Sequence, residues 1–293
     1  MRALCIAVAG IFIVGFALLE VFRDLFHPSL TGSLSDFVAR STFRLFRRWP
    51  SKLSLAGPLS LVIVILCWVL LLGGGFALIY WSAFPAGFRT FNGQSPDTGT
   101  GFQTMLYFSF EALTTLGLGD PLPQANWLRL LATLEALIGF ALVTASVSWI
   151  VLLYPALGRM RALARRASIL ARAERNSGVR LVSDGVQYLL GDLALDVIRT
   201  RVDFIHFPII YYFHADHRRS SLAESLRHLM QFAESGAQAE APDRVRLASA
   251  TLRAALDDLA AVLADRFVQS DPKDTVAVFR KYAEDHLTSI VAP

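Results

Sequence analysis

Residues 113–123 read LTTLGLGDPLP. Two threonines lead into two glycines, each preceded by a leucine, and an aspartate and two prolines follow. Glycine and proline both interrupt helices, and a charge is costly in an apolar setting. Yet long apolar stretches flank this segment on either side. The reading of these eleven residues decides what the rest of the chain is for.

The chain has 293 residues, 54% of them hydrophobic and 18% charged, with a mean hydropathy of +0.46. That balance fits a membrane protein rather than a soluble enzyme. Three apolar runs stand out: Ala3 to Val21, Pro58 to Trp81 and Leu128 to Tyr154. Each is near or above the ~20 residues that cross a bilayer as a helix. The first has a basic far flank (Arg23, Arg40, Arg44, Arg47, Arg48, Lys52) and reads as a true span, not a cleaved leader.

Basic residues set an orientation. Residues 23–52 and the segment after Tyr154, GRMRALARRASILARAER, are arginine-rich and read as cytoplasmic. Residues 82–127 carry Arg89 alone and read as external. The prediction is a multi-pass protein of the cell membrane, N-terminus outside and C-terminus inside. The net charge of +4 rests on arginines beside apolar runs, so the basic partner surface is the lipid bilayer and no nucleic acid is implied. Residues 28–56 form a separate amphipathic segment. Arg40, Arg44, Arg47 and Arg48 share one face, with Leu34, Phe37, Val38 and Leu45 on another. This predicts a helix on the inner membrane surface. Arginines repeating within a span are missing, which excludes a voltage sensor. Cys5 and Cys67 read as small core residues.

Between the second and third spans, Thr104 to Leu113 is apolar and aromatic but too short to cross. Both neighbours are full spans, so this segment enters and returns on one side. Unwound backbone at membrane depth persists only where protein buries it or water lines it. Backbone that alternates ordinary and left-handed residues points successive carbonyls the same way. Four such strands about an axis stack rings of oxygen that replace a cation's water shell.

Thr114, Thr115, Leu116, Gly117, Leu118, Gly119 and Asp120 resemble the filter of potassium channels, with its TVGYG-type core. YFSFEALTTLGLGDPLP, 107–123, is similar to their pore helix and filter, and the likeness spans about Pro58 to Pro155. It implies an all-α membrane protein: three transmembrane helices, a re-entrant pore helix and filter loop, and a helical cytoplasmic domain. The expected divisions are 1–27, 28–56, 57–155 and 156–293. It also implies a homotetramer that passes potassium ions at Thr115, Leu116, Gly117 and Leu118, with no cofactor besides the permeant K+ and no enzymatic chemistry. Leu118 departs from the family's tyrosine or phenylalanine, a side chain that packs on pore-helix aromatics; Tyr107 and Phe108 are the expected cuff.

The resemblance further implies that Glu111 and Asp120 pair behind the filter; the alternative is a local backbone contact for Glu111. Glu135, a second acid inside a span, is expected to support the filter from behind. Gly139, twenty residues beyond Gly119, resembles the family's hinge glycine; the other reading is close helix packing. Helical spacing then turns Phe140, Val143 and Val147 to the cavity and gate.

Residues 156–293 read as about five helices without a recognised family. No glycine-rich nucleotide turn is present. His214, Asp216 and His217 form a weak metal pattern. Because of Leu118, a weakly selective monovalent cation channel stands as the alternative. A transporter subunit or membrane-anchored signalling module is a third reading, which the full two-glycine loop disfavours.

Overall fold

The computed structural model describes residues 1–26, 33–90, 101–178, 185–214 and 221–287. Its helices are α1 (Arg2–Phe26), α2 (Ser33–Phe46), α3 (Ala56–Ser82), α4 (Gly101–Leu113), α5 (Asn126–Ser177), α6 (Val186–His206), α7 (Leu222–Gly236), α8 (Asp243–Arg266) and α9 (Thr275–Leu287). Two short strands, β1 (Phe88–Arg89) and β2 (Leu122–Pro123), pair antiparallel with Phe88 opposite Pro123. Helices α1, α3 and α5 contain windows long and apolar enough to span a membrane. The chain is an all-α membrane protein. It divides into one unit of Met1–Asp36 with Val62–Val151 and another of Phe37–Leu61 with Leu152–Pro293.

In the first unit, α1 buries a narrow stripe, Gly10, Val14, Ala17 and Glu20, spaced four, three and three residues. That stripe meets α3 at small residues. A β-carbon on Gly75 would lie 2.8 Å from Val14 Cγ2, and one on Gly10 would lie 2.8 Å from Ile79 Cγ1. Close approach of small residues is how spanning helices gain contact without a hydrophobic drive. Glu20 is fully buried, and its carboxylate accepts the Leu34 N–H at 3.1 Å. A free donor at the start of α2 is thereby capped from a distant residue. Ser35 Oγ donates to Asp24 beside it. Cys5 is exposed and Cys67 partly so, against the core expectation, because a spanning helix buries only the side that meets its neighbours.

The second unit gathers residues 37–61 with the C-terminal half, a grouping that differs from the boundaries at 56 and 155. Phe43 is the reason. Its ring sits 5.6 Å from Tyr212 and 5.4 Å from His286, while Arg47 donates to Asp285 at 2.8 Å. Phe37 and Leu45 of the predicted apolar face are exposed instead. Pro155 lies inside α5 and does not end it. The following arginine-rich stretch is tied to α6: Arg159 donates twice to Asp203 at 2.9 and 2.6 Å, and Arg166 donates to Asp196 at 2.8 Å and Asp192 at 3.0 Å. Helix α6 packs on α8 through Leu193, Val197, Leu256 and Leu263, all fully buried. Ile209 to Phe213 are buried as well, and Tyr211 stacks on Phe267 at 4.3 Å. The last helix begins at Thr275, after the Asp271-Pro272 turn, where Asp274 Oδ1 accepts the Ala277 N–H.

His286 is buried among these rings, 4.4 Å from Tyr282 and stacked parallel on His214 at 6.3 Å. Burial foremost, then His214 and Arg47, push its pKa down to about 3. The unfolded chain takes up this proton below about pH 6.5, whereas the folded protein stays neutral. Stability contributed by neutral His286 is therefore complete above that pH and is lost as pH falls toward 3. Melting temperature measured from pH 7.5 to 5 should fall more steeply for the natural protein than for His286→Phe. Identical slopes would show that the imidazole is not held neutral.

Candidate functional site

Helix α4 carries the candidate site. It ends at Leu113, and residues 116–120 adopt neither helix nor strand. Thr115, Gly117 and Gly119 have φ of +58°, +63° and +83°. Alternate residues therefore take left-handed backbone, which glycine adopts freely and threonine does not. Thr114 Oγ1 donates to the Phe110 carbonyl at 2.6 Å, and the Leu116 N–H reaches the Glu111 carbonyl at 2.9 Å. These bonds tie the start of the unwound stretch to the last turn of α4. Thr114 to Leu118 and Asp120 are exposed in the single chain, and Gly119 is half-buried.

Glu111 is buried. Its Oε1 accepts the Gly119 N–H at 2.7 Å, while Oε2 has no partner among the described residues. Glu111 thus makes the local backbone contact that was the alternative reading. Eight residues of chain return to α4, and the glycine amide, without a side chain in the way, is the donor that reaches Oε1.

Glu135 joins three elements. It is fully buried on α5. Its Oε2 accepts from the Tyr80 hydroxyl of α3 at 2.6 Å, and its Oε1 accepts from Ser109 Oγ of α4 at 2.5 Å. Ser109 Oγ also lies 2.8 Å from the Gly73 carbonyl. A buried carboxyl group held by two hydroxyl partners is a satisfied polar group. Sequence reading placed Glu135 near the pore helix but missed Tyr80 and Ser109. The only available sign was a lone serine between two phenylalanines, four residues before Leu113. Glu20 was missed too, although an acid inside an apolar run was visible.

Of the two expected cuff residues, Phe108 is buried edge-on to Tyr80 at 4.9 Å and to Phe88 at 5.3 Å. Tyr107 and Leu118 are both exposed in the single chain. Gly139 sits against the end of α4, where a β-carbon would lie 2.8 Å from the Leu113 carbonyl carbon. That contact supports the close-packing reading. Phe140, Val143 and Val147 are exposed along α5. His214 stacks on His286, Asp216 and His217 lie outside the described residues, and no metal-holding cluster occurs among the described ones.

Residues 63–153 match the family model described as an ion channel. The matched segment contains α4, the unwound stretch, Glu135 and Gly139. The uncharacterized membrane protein YdjJ of Bacillus subtilis (strain 168) is 26% identical over 202 residues, covering 66% of this chain. The chain spans 57% of that relative's length. No solved structure matches the chain.

Removing the Glu135 carboxylate orphans the Tyr80 hydroxyl, at a cost of about 1–3 kcal/mol for a buried unsatisfied group. Glu135→Ala should therefore lower the thermal stability of the detergent-purified protein clearly. Glu135→Gln, which keeps one acceptor oxygen, should lose less. An unchanged melting temperature in Glu135→Ala would refute the role of this carboxylate.

Proposed function

We propose that the protein is a homotetrameric, potassium-selective channel of the cell membrane. Ions pass down their gradient through rings of backbone oxygen from Thr115, Leu116, Gly117 and Leu118. The observation that carries this reading is left-handed backbone at alternate residues, Thr115, Gly117 and Gly119. Alternation of this kind aims successive carbonyls in one direction, which suits a dehydrated monovalent cation. One such strand per chain makes a quarter of a ring, so four copies about an axis complete it. The exposure of Leu116 and Leu118 in the single chain suits such an arrangement. The C-terminus of α4 directs the negative end of its dipole toward the same place. Glu111 fixes the outer end through Gly119, and Glu135 supports α4 from behind. Arginine-rich flanks support an N-terminus outside and C-terminal helices in the cytoplasm, where they would set when the pore opens.

A second reading, a weakly selective cation channel, draws on Leu118. Phe108 packs on Tyr80 and Phe88, and a leucine in place of the aromatic makes a softer filter that discriminates less by size.

Liposomes containing the purified protein should take up potassium, with uptake blocked by barium. Gly117→Ala, which strains a residue at φ +63°, should abolish uptake. Reversal potentials with potassium and sodium on opposite sides separate the two readings: a potential near the potassium limit fits selectivity, one near zero fits the second. Equal flux from the natural protein and Gly117→Ala would end both.

A further inference from the structure

A cavity of about 560 Å³ opens between α5 and α6 in the second unit. That volume suits a small organic ligand. Its walls combine apolar side chains, Leu163, Ile169 and Leu170, with the guanidinium groups of Arg159, Arg165, Arg166 and Arg199 and the carboxylate of Asp196, which Arg166 and Arg199 face. The cations are not equivalent. Arg159 is committed to Asp203 through two hydrogen bonds, and Arg166 to Asp192 and Asp196. Arg199 has only a loose pairing with Asp196, 3.6 Å away. Arg165 is exposed and has no ion-pair or hydrogen-bond partner among the described residues. Ile169, one helical turn from Arg165, leaves 43% of its surface exposed. A free guanidinium therefore stands one turn from an uncovered aliphatic side chain at a concave site.

We infer that this cleft binds a small organic anion: an apolar body lies against Ile169 and Leu170 while a phosphate or carboxylate engages Arg165, with Arg199 in support. A planar guanidinium is matched to both oxyanions. The paired Arg159 and Arg166 are already satisfied, and they keep the walls in place.

The same chemistry exists in acidic membrane lipids, but the position of the cleft favours a ligand from the aqueous phase. Arg165 lies eleven residues beyond Tyr154 on the continuous α5, about 17 Å along the helix axis. The headgroup layer adds only about 5–7 Å on each side of the hydrocarbon. A bilayer lipid with its tails in place does not extend that far. The inference stands apart from ion conduction, since binding is read without flux.

The test is equilibrium dialysis of 1-naphthyl phosphate against the full chain in phosphatidylcholine nanodiscs, with empty nanodiscs subtracted. Saturable binding is expected, at least tenfold weaker for 1-naphthol and for inorganic phosphate alone. Arg165→Glu and Ile169→Asp alter exposed side chains and should each weaken binding at least tenfold. Arg172→Glu, on the same basic helix outside the cleft, should leave it unchanged. Absence of saturable binding, full binding by Arg165→Glu, or equal loss in Arg172→Glu would overturn the proposal. Displacement of the probe by phosphatidylglycerol in the nanodisc would overturn the aqueous source.

Discussion

Peptide groups that leave a helix inside a membrane must find partners in the protein or face a watery path. The first unit is arranged around that constraint. Helix α4 is too short to span, and its chain continues unwound for several residues. What holds it is polar and buried: the Glu135 carboxylate joins α5 to Tyr80 of α3 and Ser109 of α4. Glu111 secures the far end through the Gly119 amide. Between them, the bare backbone of Gly139 lets α5 lie directly on the last carbonyl of α4. A side chain on Gly139 would separate the two helices where the carboxylate bridges them.

The spans, the short α4 and the unwound loop were all legible in the sequence. They depend on local properties: apolar length, the position of glycines and the place of charged flanks. The partners of buried groups were not. Nothing near Glu135 in the chain points to Tyr80, fifty-five residues away, and an apolar run that ends in Tyr80-Trp81 looks like any membrane-interface anchor. Phe108 shows the same limit. Helical spacing says which side of α4 it occupies, but Tyr80 and Phe88 decide what it meets. Glu111 and Asp120 are close in sequence, yet the donor nearest in space is a backbone amide.

The C-terminal half gives a similar lesson. Pro155 lies within α5, and Arg159 and Arg166 fasten the following turns to α6. The amphipathic pattern of α2 was real, but Phe43 sits between the two predicted faces. Its contacts with Tyr212 and His286 come from segments far along the chain, which no local pattern encodes.

The notch between Gly10 and Gly75 carries a consequence for how such proteins diverge. Each glycine makes room for the other helix, so a methyl group added at one cannot be absorbed by trimming the other further. Among homologous chains that retain the first span, these two positions should drift as a pair or stay fixed together, leaving a covariation signal between otherwise unremarkable apolar segments.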